Sequence, residues 1–161
     1  MKTKIISLAV VLMAIVLLAA VASCSSRNSA PVPQKEQDAI QKYLDTKVME
    51  PAFGGKIFSA YKVFKKENNK IYIWAYLQEY YKKDGKTEPG SGWSVPLVLN
   101  VEENESGLKV ISHLAPGDGE LYAADIKKLF PKEIQQQIFD FTGTEEMREL
   151  ENTSKERSTG L

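Results

Sequence analysis

The sequence predicts an α+β domain made of an N-terminal helix, a four-stranded antiparallel meander and two or three short C-terminal helices. Three observations carry this. Apolar residues between 34 and 48 recur at helical spacing, with Ala39, Ile40, Tyr43, Leu44 and Val48 forming one stripe. From residue 56 the period changes to alternation, cut by the turn signals Asn68-Asn69, Asp84-Gly85 and 104–107. Beyond Pro116-Gly117-Asp118-Gly119 the helical period returns. A run of strands followed by a run of helices is the signature of segregated α+β packing, with helices on one face of the sheet.

Each element has its own reason. The first helix spans 34–47 and is stopped by Pro51 and Gly54-Gly55. Residues 56–67 and 70–82 read as a hairpin. Asp84-Gly85 favours a tight hairpin loop. The third strand is expected at 93–102, with Pro89-Gly90-Ser91-Gly92 as a bulged entry. Pro96 inside it has no N–H for a ladder and argues for an edge or a bulge. The fourth strand is expected at 108–114. Two helices, 121–130 and 131–141, follow, with Ile126, Leu129, Phe130, Ile134, Ile138 and Phe141 on their buried side. Pro131 suits the first turn of the second, where its missing N–H costs little. Residues 143–161 carry few apolar groups and are expected to be a frayed helix with a polar tail.

Ahead of the domain lies a different kind of segment. Lys2 and Lys4 precede an apolar run from Ile5 to Ala22, broken only by Ser7, and then Val21-Ala22-Ser23-Cys24. A basic start, an apolar core and a small-residue cleavage site describe a signal peptide rather than a retained anchor. Val21-Ala22-Ser23-Cys24 resembles the lipobox of bacterial lipoprotein precursors. The resemblance implies cleavage between Ser23 and Cys24 and acylation of Cys24, the only cysteine of the chain. Residues 1–23 are then the signal peptide and 24–33, rich in Ser and Pro, a lipidated tether. Residues 34–142 form the single domain. Two or more acyl chains hold a protein on a membrane where one is marginal. Location is therefore expected to be extracytoplasmic, on the cell membrane, or on the outer membrane if the source has two. A second pattern, Gly90-Ser91-Gly92-Trp93-Ser94-Val95-Pro96, Pro116-Gly117-Asp118-Gly119 and Ile126-Lys127-Lys128-Leu129-Phe130-Pro131, resembles small uncharacterised extracytoplasmic lipoproteins of Gram-positive-type bacteria. It implies location and carries no activity.

Composition excludes some functions. The chain has 21 basic and 21 acidic residues, and losing Lys2 and Lys4 leaves it slightly acidic. No basic footprint for nucleic acid exists. With Cys24 acylated, no thiol remains for disulfides or catalysis. The Asn-x-Ser/Thr matches at Asn104 and Asn152 belong to a eukaryotic modification and are read as chance.

Candidate sites are few, and no cofactor motif is found. His113 is the only histidine. As general base of a small envelope hydrolase it would need a carboxylate or serine partner, and simple alternation puts it opposite Val110. Asp118, Glu120 and Asp125 are a sparse oxygen set for calcium without EF-hand spacing. Residues 70–82 are more informative. Ile71, Ile73, Ala75 and Leu77 alternate with Tyr72, Trp74, Tyr76 and Tyr80. The aliphatic face is core, and the aromatic face is the candidate binding surface. Aromatic residues also favour strands for structural reasons, and C-terminal helices could cover them. The reading is a lipid-anchored module that binds an unknown protein or envelope component. The alternatives are the His113 hydrolase and an accessory or sensory subunit of a membrane complex.

Overall fold

The computed structural model describes residues 33–105 and 107–161, and Val32–Leu161 forms one compact unit. The leader, the lipobox and Cys24 lie outside the described residues. No described helix is long and apolar enough to cross a membrane.

The architecture is α+β. Helix α1 (Gln34–Tyr43) continues into a π-helical turn, Leu44–Val48. Strands β1 (Lys56–Glu67), β2 (Lys70–Lys83), β3 (Lys86–Asn104) and β4 (Gly107–Leu114) form an antiparallel sheet in the order β1-β2-β3-β4. Helices α2 (Tyr122–Leu129), α3 (Lys132–Asp140) and α4 (Glu145–Arg157) follow. Asp84 (φ 51°) and Gly85 (φ 77°) both take the left-handed conformation that a two-residue hairpin loop requires. Lys83 and Lys86 therefore pair directly across it.

The sheet is covered on both faces, where the sequence suggested one. On one face Ile40 and Leu44 of α1 pack over Ile71, Ile73, Leu77, Leu97 and Leu99. On the other, Ile126, Phe130, Ile134, Ile138 and Phe141 pack over Tyr72, Trp74 and Val98. Burying one large aliphatic side chain is worth roughly 1.5–3 kcal/mol. Ile40 and Leu44, both fully buried, thus hold α1 firmly.

Strand β3 begins at Lys86, earlier than the expected 93. Pro89–Gly92 does not precede the strand but forms a bulge within it, where the register with β2 shifts between Gln78 and Tyr80. Pro96 lies inside a central strand, yet β4 pairs with β3 only from Val98 onward. At Pro96 the strand is locally an edge, which is why the missing N–H is tolerated. A second bulge, between Asn100 and Val101, inserts Ile111 and reverses the alternation of β4. His113 therefore shares the α1 face with Val110, against the simple alternating reading.

Residues 143–161 are not a frayed tail. Helix α4 starts on Thr144, whose side chain accepts from the Met147 N–H, and it docks on β1 and β2. Its apolar contribution is small, with Met147 and Leu150 only partly buried. Polar hooks supply the rest. Ser154 Oγ donates to the Phe58 carbonyl at 2.8 Å. Arg157 pairs with Asp45 of the π-turn at 2.7 Å and donates to the Ser59 carbonyl at 2.6 Å. Asp45 also accepts from the Ser59 N–H at 2.9 Å and from its hydroxyl at 2.7 Å. This network occupies the outer edge of β1, which would otherwise present unpaired backbone groups.

Candidate functional site

The aromatic quartet of β2 is mostly core. Trp74 is 3% exposed, tilts against Phe141 at 5.0 Å between ring centroids, and donates to Ser94 Oγ at 2.9 Å. Tyr72 lies against Phe130, and Tyr80 against Phe58. Only Tyr76 is half-buried, with its hydroxyl 3.4 Å from Gln78 Oε1. The expectation of an outward aromatic face is corrected: α2–α4 fill it. Those covering side chains lie some fifty residues or more downstream, beyond any local pattern.

His113 has no catalytic partner. Its Nδ1 lies 3.0 Å from the Tyr43 hydroxyl, with the rings edge-on at 5.8 Å. No carboxylate or serine stands in hydrogen-bond contact with it among the described residues. Burial lowers its pKa, as desolvation does for a base. The hydrolase reading needed an acid where Tyr43 stands. The calcium set fares no better: Asp125 is engaged with the Gly117 N–H at 2.9 Å, and no cluster of three metal-ligating residues occurs among the described residues.

The site the structure does build lies at the end of the sheet where the β2–β3 hairpin runs past β1. Strand β1 begins at Lys56, opposite Tyr80, so residues 81–88 form a two-stranded projection. At its base sits Glu79, 0% exposed. Sequence alternation puts Glu79 on the face of Ile71, Ile73, Ala75 and Leu77, so an acid occupies a core position. Its carboxylate is fully engaged. Oε1 accepts from the Phe53 and Gly55 N–H groups, each at 2.9 Å. Oε2 accepts from the Ala52 N–H at 2.9 Å, the Ser91 hydroxyl at 2.8 Å and the Ser91 N–H at 3.3 Å. Burial alone would raise this carboxyl's pKa. The hydrogen bonds from Gly55, Ser91, Phe53 and Ala52 outweigh it and hold the pKa down to about 2. A carboxylate so fixed and so dry is no general acid. It clamps the 51–55 loop to the β3 bulge.

Two glycines make the clamp possible. A Cβ at Gly55 would lie 2.2 Å from the Tyr80 carbonyl oxygen, and one at Gly90 2.8 Å from Glu79 Oε2 and 2.9 Å from the Phe53 ring. Gln78 completes the base by donating to the Gly90 and Ser91 carbonyls at 3.0 Å. The loop so held presents Phe53, 60% exposed, stacked on Tyr81 at 5.3 Å with 14° between the rings. Beside them is a shallow cleft of about 290 Å³ lined by Phe53, Gly54, Gly55, Lys56, Tyr81, Lys82 and Leu161.

Sequence reasoning missed this site, although it left two signals. Phe53 is an aromatic residue inside Pro51-Ala52-Phe53-Gly54-Gly55, where no strand or helix can bury it. Glu79 interrupts an aliphatic alternation. Compared with family models, curated proteins and solved structures, the chain matches none.

Proposed function

We propose that this chain is a lipid-anchored extracytoplasmic binding module, and that its contact surface is the Phe53–Tyr81 end of the sheet rather than the Trp74 face. One observation carries the choice of surface: an exposed aromatic ring is held on a loop whose backbone is pinned by a buried carboxylate. A ring left in water gains nothing for folding, and a pinned loop has already lost the entropy that binding would otherwise cost. The anchor rests on Val21-Ala22-Ser23-Cys24. Glu36 near the start of α1 pairs with Lys66, which also pairs with Glu103. The start of α1 thus lies beside the β1–β2 turn. Phe53 lies beyond the other end of β1, whose 12 residues span roughly 40 Å.

Photo-crosslinking in the source cells tests this. A photoreactive residue at Phe53 of the full-length protein should capture a partner, and one at the buried Trp74 should not. Capture from neither position sinks the surface. For the anchor, Cys24→Ser should move the chain from the membrane to the soluble fraction.

A further inference from the structure

We infer that the ligand of this surface is an anionic polysaccharide, whose sugar rings lie on the Phe53–Tyr81 stack while its acidic groups meet the lysines of the hairpin; this rests on the surface proposed above. Lys83 and Lys86 flank the tip of the hairpin. They stand directly opposite each other across the Asp84-Gly85 turn, and like charges so placed destabilise a hairpin. Lys82 adds a positive charge on the other face of the hairpin, where it pairs with Thr87 and its Nζ donates to the Thr87 hydroxyl at 2.9 Å. Lys56 stands beside it in the same cleft. None of the four forms an ion pair among the described residues, whereas Lys62, Lys65 and Lys66 of β1 are each paired with glutamates. Asp84 and Glu88 are the acids of the hairpin, and Glu50 precedes the loop. Residues 81–88 carry three lysines against two acids, an excess of one positive charge, with Glu88 directly opposite Tyr81. An anionic ligand would relieve the repulsion between Lys83 and Lys86.

Shape selects among anions. A protein partner anchors through side chains that fill deep, desolvated pockets. The two clefts described at this end, one beside Phe53 and a larger one beside Pro51, are both open to solvent. The cleft beside Phe53 is shallow, and the main feature of the surface is a flat ring backed by a second, nearly parallel ring. Such a platform suits a flat, ring-shaped ligand, as aromatic platforms do for other stacked rings. Rings that carry acidic groups meet both features at once.

Full-length protein in detergent micelles separates the two features with three polymers: polygalacturonate (acidic rings), dextran (neutral rings) and poly-L-glutamate (acidic, without rings). Polygalacturonate should bind, more weakly as salt rises, and dextran should not. Phe53→Ala should weaken binding about tenfold, as loss of a stacking ring does. The pair Lys82→Gln with Lys83→Gln should weaken it at least as much, with a melting temperature that is not lowered in either case, since losing Lys83 relieves its repulsion with Lys86. Equal binding of poly-L-glutamate and polygalacturonate, indifference to Phe53→Ala, or binding of no acidic polymer would overturn the inference. A single protein crosslinked at Phe53 would overturn the glycan but keep the surface. An empty crosslink at Phe53 would remove both.

Discussion

A carboxylate at position 79 stands where β2 otherwise places Ile71, Ile73, Ala75 and Leu77. It survives there because five donors from Ala52, Phe53, Gly55 and Ser91 face it. Glu79→Gln keeps the shape but turns one acceptor oxygen into an NH2 group aimed at donors. Unsatisfied buried donors are costly, so the melting temperature should fall by roughly 5–10 °C. The 51–55 amide signals in an NMR spectrum should shift or broaden while those of α3 stay put. An unchanged midpoint would mean the clamp contributes nothing. Phe53 and Trp74 make the complementary contrast. Trp74→Ala removes a fully packed ring and should cost about 3–5 kcal/mol in denaturant unfolding. Phe53→Ala should stay within about 0.5 kcal/mol, as exposed positions do. If Phe53→Ala proved as destabilising as Trp74→Ala, the ring would belong to the core and the proposed surface would lose its basis.

Among the elements, strand count, order and most boundaries were legible because alternation and turn residues are local signals. What was not legible came from bulges and from distant cover. One extra residue at Ile111 moves His113 to the other face, and no alternation count reveals a bulge. The length of β3 was hidden because Pro89, Gly90 and Gly92 read as loop residues, although here they oppose Gln78 and Tyr80 as strand. Composition alone makes helix α4 look frayed, because its apolar content is low. That reading of composition was sound, and the missing information was Asp45, more than a hundred residues away. The same facts predict how α4 behaves. It relies on Arg157, Ser154 and the Lys62–Glu146 pair more than on Met147 and Leu150. Its amides should exchange with solvent sooner than those of β2, whose strand core is fully buried. Arg157→Ala leaves Asp45 without its cation at a partly buried position. Between the near-zero worth of exposed pairs and the large cost of breaking buried ones, a loss of about 1–2 kcal/mol is expected. Exchange should speed up in α4 and the π-turn, with α2 and α3 unaffected. Uniform exchange throughout the domain would show that α4 is no weaker than the rest.

For the molecule as a whole, acid should act in two stages, and the sign follows from the two groups that burial and hydrogen bonding shift. His113 has its pKa lowered below the ordinary 6.5 by burial, and no charged group facing it offsets that. In the unfolded chain the ring protonates near 6.5, while in the fold it resists. The unfolded state therefore binds more protons, and stability falls as pH drops below about 7 until the folded ring also protonates. Glu79 acts in the same direction at lower pH. Its folded pKa near 2, against an ordinary 4.5, means its contribution is complete above the unfolded value. It is lost as pH falls from about 4.5 toward 2. Exposed pairs such as Lys65–Glu133, where the lysine partner lowers the Glu133 pKa, add only a small change. Thermal unfolding followed from pH 8 to 2 checks this. The native chain should lose stability first as pH drops below about 7 and again below about 4.5. His113→Gln should flatten the first stage and leave the second, since a neutral amide has no proton to gain. Glu79→Gln should do the reverse, starting from a lower midpoint. A native profile with no loss of stability just below pH 7 would show that His113 is solvated in solution, and would unseat the packing of Tyr43 over it. A single variant that erased both stages would mean that the α1 face and the Glu79 clamp unfold as one unit, rather than as the two separate ends of the sheet that the structure joins.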